Sequence, residues 1–156
     1  MPIKNFFNLE KINQTIKKDI PAIMAETSIE YFKHSFQSKG WDGNAWPETK
    51  KPVKKGSLMV RSGKLVNSIT AKEVTPTHVI ISAGNDRIPY AKVHNEGFRG
   101  TVNIPEYIRK IKGKEQVVRT HTMNMNMPKR QYMGISDPLI HSVRNRILTR
   151  LKEIFF

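Results

Sequence analysis

The stretch YAKVHNEG, Tyr90 to Gly97, sets a phenol, an amine, an imidazole and a carboxylate within seven residues. A histidine and a glutamate held within hydrogen-bond reach of a substrate could act as general base and general acid. Such work needs a shared face, a partner nucleophile or second carboxylate, and a shielded pocket. Read as extended backbone, the stretch supplies the first: Tyr90, Lys92, His94 and Glu96 fall on one face, and Ala91, Val93 and Asn95 on the other. The second is missing from the surrounding sequence. The expectation is therefore a patterned strand whose His94 is hydrogen-bonded at the strand end, before a turn completed by Gly97, and no catalytic residue.

Other chemistries fail on spacing. The histidines, at positions 34, 78, 94, 121 and 141, do not recur at the short intervals that let one helix or hairpin offer two ligands to a metal. The absence of cysteine removes thiolate ligands, disulfides and thiol nucleophiles together. Met123, Met125 and Met127 in MNMNMP would face one way from a strand, and thioethers do bind soft copper, but with no supporting ligand they read as an adaptable apolar contact face. GSLMVRSGKL has six residues between Gly56 and Gly63 where a phosphate loop has four, and Leu65 stands where a metal-holding hydroxyl is needed. No metal or cofactor is expected.

What remains is charge. Lysine and arginine number 27 against 13 aspartates and glutamates, a net +14 over 156 residues. Lys50, Lys51, Lys54, Lys55, Arg61 and Lys64 fall in a stretch with no carboxylate, from Thr49 to Lys72. This is either a solvated basic loop or a contact for phosphates or an acidic protein, so a nucleic-acid-binding module is the alternative to any protein-docking role. No apolar run approaches the roughly 20 residues that cross a bilayer, and the N-terminus lacks the apolar centre of a secretory signal, so no membrane partner and a cytoplasmic place of synthesis are expected.

The elements that must position these residues read as one α+β domain over 1–156. A helical region at 8–37 carries Leu9, Ile12, Ile16 and Ile20 in one stripe and Ala25, Ile29, Phe32 and Phe36 in another, with a break or kink near Pro21. A loop at 40–60, rich in glycine and proline, follows; Trp41 and Trp46 within it are expected to fold back over a core edge, a protein or base-stacking contact being the rival. Residues 66–127 read as sheet and arm. One helical turn sets Leu65 beside Ile69, strands follow to Val74 and over His78 to Ala83, and YAKVH makes a third strand of an antiparallel sheet. An arm or hairpin over Phe98 to Met127 stands off the sheet with Gly113 in or near its bend. The closing helix, 136–155, starts at Ser136, Asp137 and Pro138 and runs its stripe of Leu139, Val143, Ile147, Leu151 and Ile154 onto the sheet.

Taken in order, GWDGNAW, RSGKLVNSI, a V-I-I strand, YAKVHNEG, and MPKRQYMGIS before a last helix resemble the phage virion morphogenesis family, the Mu-like tail completion proteins. The resemblance covers roughly residues 25 to 155. It rests on Trp41 and Trp46, on Ser62, Gly63, Leu65, Ser68 and Ile69, on Tyr90, Ala91, His94 and Gly97, and on Pro128, Arg130, Tyr132, Met133, Gly134, Ile135 and Ser136. This sequence departs from the pattern where Asn95 and Glu96 follow His94, in place of glutamine and an aromatic, and in the length of the arm. The resemblance implies a non-enzymatic subunit that completes the tail or joins it to the head. It also implies a homo-oligomeric ring in the tail or neck that binds other virion proteins close to DNA and is assembled in the bacterial cytoplasm.

Overall fold

The computed structural model describes residues 8–49 and 55–155, and its architecture is mixed α+β. Helix α1 (Leu9–Gln14) runs through a π-helical turn (Thr15–Asp19) into α2 (Ile20–Ser38). The sequence expectation of a break or kink resolves as this wide turn. Pro21 has no N–H to donate and its ring crowds the carbonyl four residues back, and an extra residue in the preceding turn opens the ladder there without ending the helix. Asp19, in the wide turn, accepts from Arg150 Nε at 2.9 Å and Nη2 at 2.8 Å, and so ties it to the last helix.

After α2 a small hairpin, β1 (Gly40–Trp41) and β2 (Asn44–Ala45), turns the chain back. Both tryptophans cover the core edge, as their placement in a polar loop predicts. Trp41 meets Tyr31 edge-on at 5.6 Å and lies over Phe32 at 6.0 Å. Trp46 is buried, packs edge-on against Phe36 at 5.4 Å, and donates Nε1–H to the Gln131 carbonyl at 2.6 Å.

A single turn, α3 (Lys64–Asn67), places buried Leu65 and Ile69 in the core as expected. The antiparallel pair β3 (Thr70–Val74) and β4 (Val79–Ser82) follows, with a bulge between Ala71 and Glu73. The third strand is absent: Ala91–Glu96 is a helix, α4, so β3 and β4 form a two-stranded sheet by themselves. Pro89 just ahead and Gly97 just behind are the punctuation of a short helix, and both stand in the sequence.

The arm is present, and longer in strand than its sequence indicates. β5 (Phe98–Ile104) pairs with β8 (His121–Met127), and β6 (Tyr107–Ile111) pairs with β7 (Lys114–Val118). EYIRKIKGK, basic and polar in sequence, is thus mostly strand. Lys112 and Gly113, at φ 49° and 79°, close the tip in the left-handed two-residue turn that suits strand twist. Between the two ribbons, Pro105 and Glu106 lie opposite Arg119 and Thr120 outside either ladder.

Helix α5 (Asp137–Phe155) begins as read, with Leu139 N donating to Ser136 Oγ at 3.4 Å and Ile140 N to the Ser136 carbonyl at 3.0 Å. Its main partner is α2, which in turn contacts β3 and β4, so the closing helix meets the sheet chiefly through α2. Arg146 bonds Glu30 and Thr27 of α2, and Arg150, one turn on along the same side of α5, bonds Asp19, polar clasps beside the apolar stripe. The core gathers Phe32 and Phe36 of α2, Trp46, Leu65, Ile69, Ile88, Ala91, Tyr132 and Leu139.

Because Trp46 fills core space and also answers a carbonyl, its two contributions separate. Trp46→Phe is expected to lower unfolding free energy by about 1–3 kcal/mol, and Trp46→Ala by about 3–5 kcal/mol, measured by urea denaturation.

Candidate functional site

The three sequence signatures lie on separate pieces of chain and meet around one strap, the irregular segment from Pro128 to Ser136 between β8 and α5. Backbone without regular structure must find an outside partner for each buried amide. Arg130 N–H donates to the His94 carbonyl at 2.9 Å. Tyr132 N–H and Met133 N–H both donate to Asn95 Oδ1, at 2.9 and 3.1 Å. The Tyr132 hydroxyl donates to the Ala91 carbonyl at 3.0 Å, its ring lies 5.1 Å from that of Phe36, and burial pushes its pKa up to about 12. Arg130 is buried and gives Nε to the Pro47 carbonyl at 2.8 Å and Nη2 to the Glu48 carbonyl at 3.2 Å. Pro128 leads the strap in, and Gly134 leaves it beside Gln131 and Trp41.

The remaining signature residues secure the frame. The Ser68 hydroxyl donates to the Leu65 carbonyl at 2.6 Å and accepts the Gly84 N–H at 2.9 Å, fixing α3 to the loop ahead of α4. At Gly97, φ is 78° and a Cβ would stand 2.9 Å from Lys129 N and 3.1 Å from the Met127 carbonyl, so only glycine lets the arm leave α4 this close to the strap.

Helical spacing regroups the residues that an extended reading put on one face. Tyr90 pairs with His94, rings edge-on at 5.6 Å, and Lys92 pairs with Glu96 at 3.9 Å in solvent. His94 and Glu96, two apart on a helix, project to nearly opposite sides and are not brought together. The expected hydrogen bond to the His94 ring is also corrected: Nδ1 is buried with no partner. Burial, helped by the nearby Arg130 charge, holds the imidazole pKa below its ordinary value.

Beside the strap opens a cleft of about 410 Å³, lined by Ser62, Gly63, Leu65, Tyr90, His94 and Arg130 from the signatures and by Leu58, Met59, Arg61, Lys64 and Met127 among others. Of the basic residues picked out by charge, Arg61 and Lys64 reach this cleft and Lys55 is exposed elsewhere; Lys50, Lys51 and Lys54 lie outside the described residues. Among the described residues no cluster of histidine and carboxylates could hold a metal ion, and no helix is long and apolar enough to cross a membrane.

The sequence profile of the phage virion morphogenesis family matches residues 11–152. The chain belongs to this family. Its role therefore lies in phage virion assembly, in association with the virion and its proteins. Comparisons with curated proteins and with solved structures return no match. For this family member, the signatures are the ends of the strap's hydrogen bonds and packing contacts. Asn95, a departure from the family pattern, is the residue that sequence reasoning missed. A polar residue with short reach just ahead of a helix-ending glycine was the available signal, legible only once Ala91–Glu96 is seen as a helix.

Asn95→Ala would leave two strap amides without an acceptor, at about 1–3 kcal/mol for each that water cannot reach, so a loss of several kcal/mol is expected in chemical denaturation. His94 takes up a proton less readily folded than unfolded. Stability is therefore full above pH 6.5 and falls as pH drops below it, until the native imidazole also protonates. In His94→Gln this part of the pH profile of the melting temperature should flatten.

Proposed function

We propose that the protein is a non-enzymatic subunit that completes the tail or joins it to the head, working as a homo-oligomer, most simply a ring, in the tail or neck. Family membership supports the setting, and the arm supports the mode of action. On the β5–β8 ribbon, Phe98, Val102, Ile104, Met123, Met125 and Met127 share one face, half-buried for the most part, and no other described helix or strand packs extensively on it. Beyond it the tip is bare: Ile108 and Val117, directly opposite one another, are 63% and 57% exposed. A two-stranded hairpin is marginal in water, so an apolar arm of this length gains stability when another surface covers it. Neighbouring subunits and adjoining virion proteins are the surfaces an assembly subunit meets.

A nucleic-acid-binding module is the second reading, favoured by the net +14 and by the exposed Lys55, Arg61 and Lys64. It predicts duplex binding that weakens steeply with salt.

The assembly reading is tested by replacing Thr101–Asn124 with a short turn. Because the arm packs extensively on no other described element, the truncated chain should keep a melting temperature within a few degrees of the full chain. In light scattering across a concentration series it should remain monomeric where the full chain associates, and it should fail to enter virions. A full-length chain that stays monomeric and never joins particles, or an armless chain that assembles normally, overturns the reading.

A further inference from the structure

The cleft beside the strap has a composition that holding the fold does not require. Arg61, Lys64 and Arg130 line it, and no carboxylate does among the described residues. Nor could the undescribed residues 50–54 bring one, since none of them is acidic. Arg61 and Lys64 form no ion pair among the described residues. Arg130 is more demanding: it is buried, its hydrogen bonds go to the neutral carbonyls of Pro47 and Glu48, and it too has no described carboxylate partner. A buried charge without a counter-charge is costly, and an incoming anion relieves that cost. His94 adds a buried, unpartnered Nδ1 in the same wall. The opposite character is present as well, because Leu58, Met59, Leu65 and Met127 give the cleft an apolar and adaptable lining.

We propose that this cleft is the docking site for an acidic, apolar peptide segment of another virion protein, a carboxylate meeting Arg61, Lys64 and Arg130 and a neighbouring aliphatic or aromatic side chain entering between Met59 and Met127. The inference rests on the assembly reading and adds to it where and by what chemistry a partner is held. The mixed lining favours peptide over nucleic acid. A phosphodiester backbone answers the charges and leaves the methionine and leucine wall unfilled, while a pocket of about 410 Å³ is of the size that takes a few side chains. The arm carries association between large surfaces; the cleft recognises a short segment.

The probes are a fluorescein-labelled decapeptide alternating aspartate with leucine, the same peptide with asparagine for aspartate, one with glycine for leucine, and a single-stranded DNA 20-mer. Binding is read by anisotropy on the full chain at fixed salt. The aspartate–leucine peptide should bind, and each of the two altered peptides should bind at least tenfold more weakly. The exposed pair Arg61→Gln and Lys64→Gln should weaken it at least tenfold with an unchanged melting temperature, and Met59→Gln should weaken it without altering charge. Binding that ignores the leucines, binding of DNA that the Arg61 and Lys64 replacements abolish with no peptide binding, or no peptide binding at all overturns the inference. The two proposals fail separately. A chain that binds no peptide but still oligomerises and enters virions loses the cleft assignment alone, whereas one that binds peptide but never enters virions loses the assembly reading.

Discussion

The segment between β8 and α5 sinks Arg130 and Tyr132 into the interior without helix or strand of its own, and much of the molecule is organised around satisfying it. Asn95 takes two of its amides on one oxygen, the His94 and Ala91 carbonyls take a third amide and a phenol, and Trp46 reaches a carbonyl from the far side of the core. These partners come from the Gly40–Trp46 hairpin region and from α4, far apart in sequence, so the strap closes the fold as a keystone does. Each bond is individually worth about 1 kcal/mol, but an unmade one costs more than a made one contributes, which makes the set mutually dependent.

The parts of the fold with strong local rules were legible from sequence. The helices, the tryptophans folding back, the Leu65 turn, the bend at Gly113 and the cap of α5 follow from periodicity and turn chemistry, and they hold, although Leu9 and Ile16 of the first stripe stay exposed. YAKVH was misread because its alternation of polar and apolar residues fits a strand and a short helix equally well, and six residues are too few to separate the two periods. Pro89 and Gly97 carried the deciding information. The strap was legible as a motif and not as a geometry: nothing in Arg130 or Tyr132 announces which carbonyl it will find, since those carbonyls lie 41 to 83 positions away. The cleft was out of reach for the same reason, because only folding brings Arg61 and Lys64 to Arg130.

Charge sets the terms on which this protein meets any partner. At +14, two such chains repel one another over the distances that salt leaves unscreened, and any contact between them has to be won by apolar area or by acidic groups from a partner. The arm offers the first and the cleft invites the second.

Pro105 and Glu106 face Arg119 and Thr120 at the seam where one ribbon ends and the next begins. Proline withholds a ladder hydrogen bond there, so the two ribbons are separate ladders joined by a knuckle that backbone pairing does not brace. A knuckled finger can press its tip flat against targets presented at several angles.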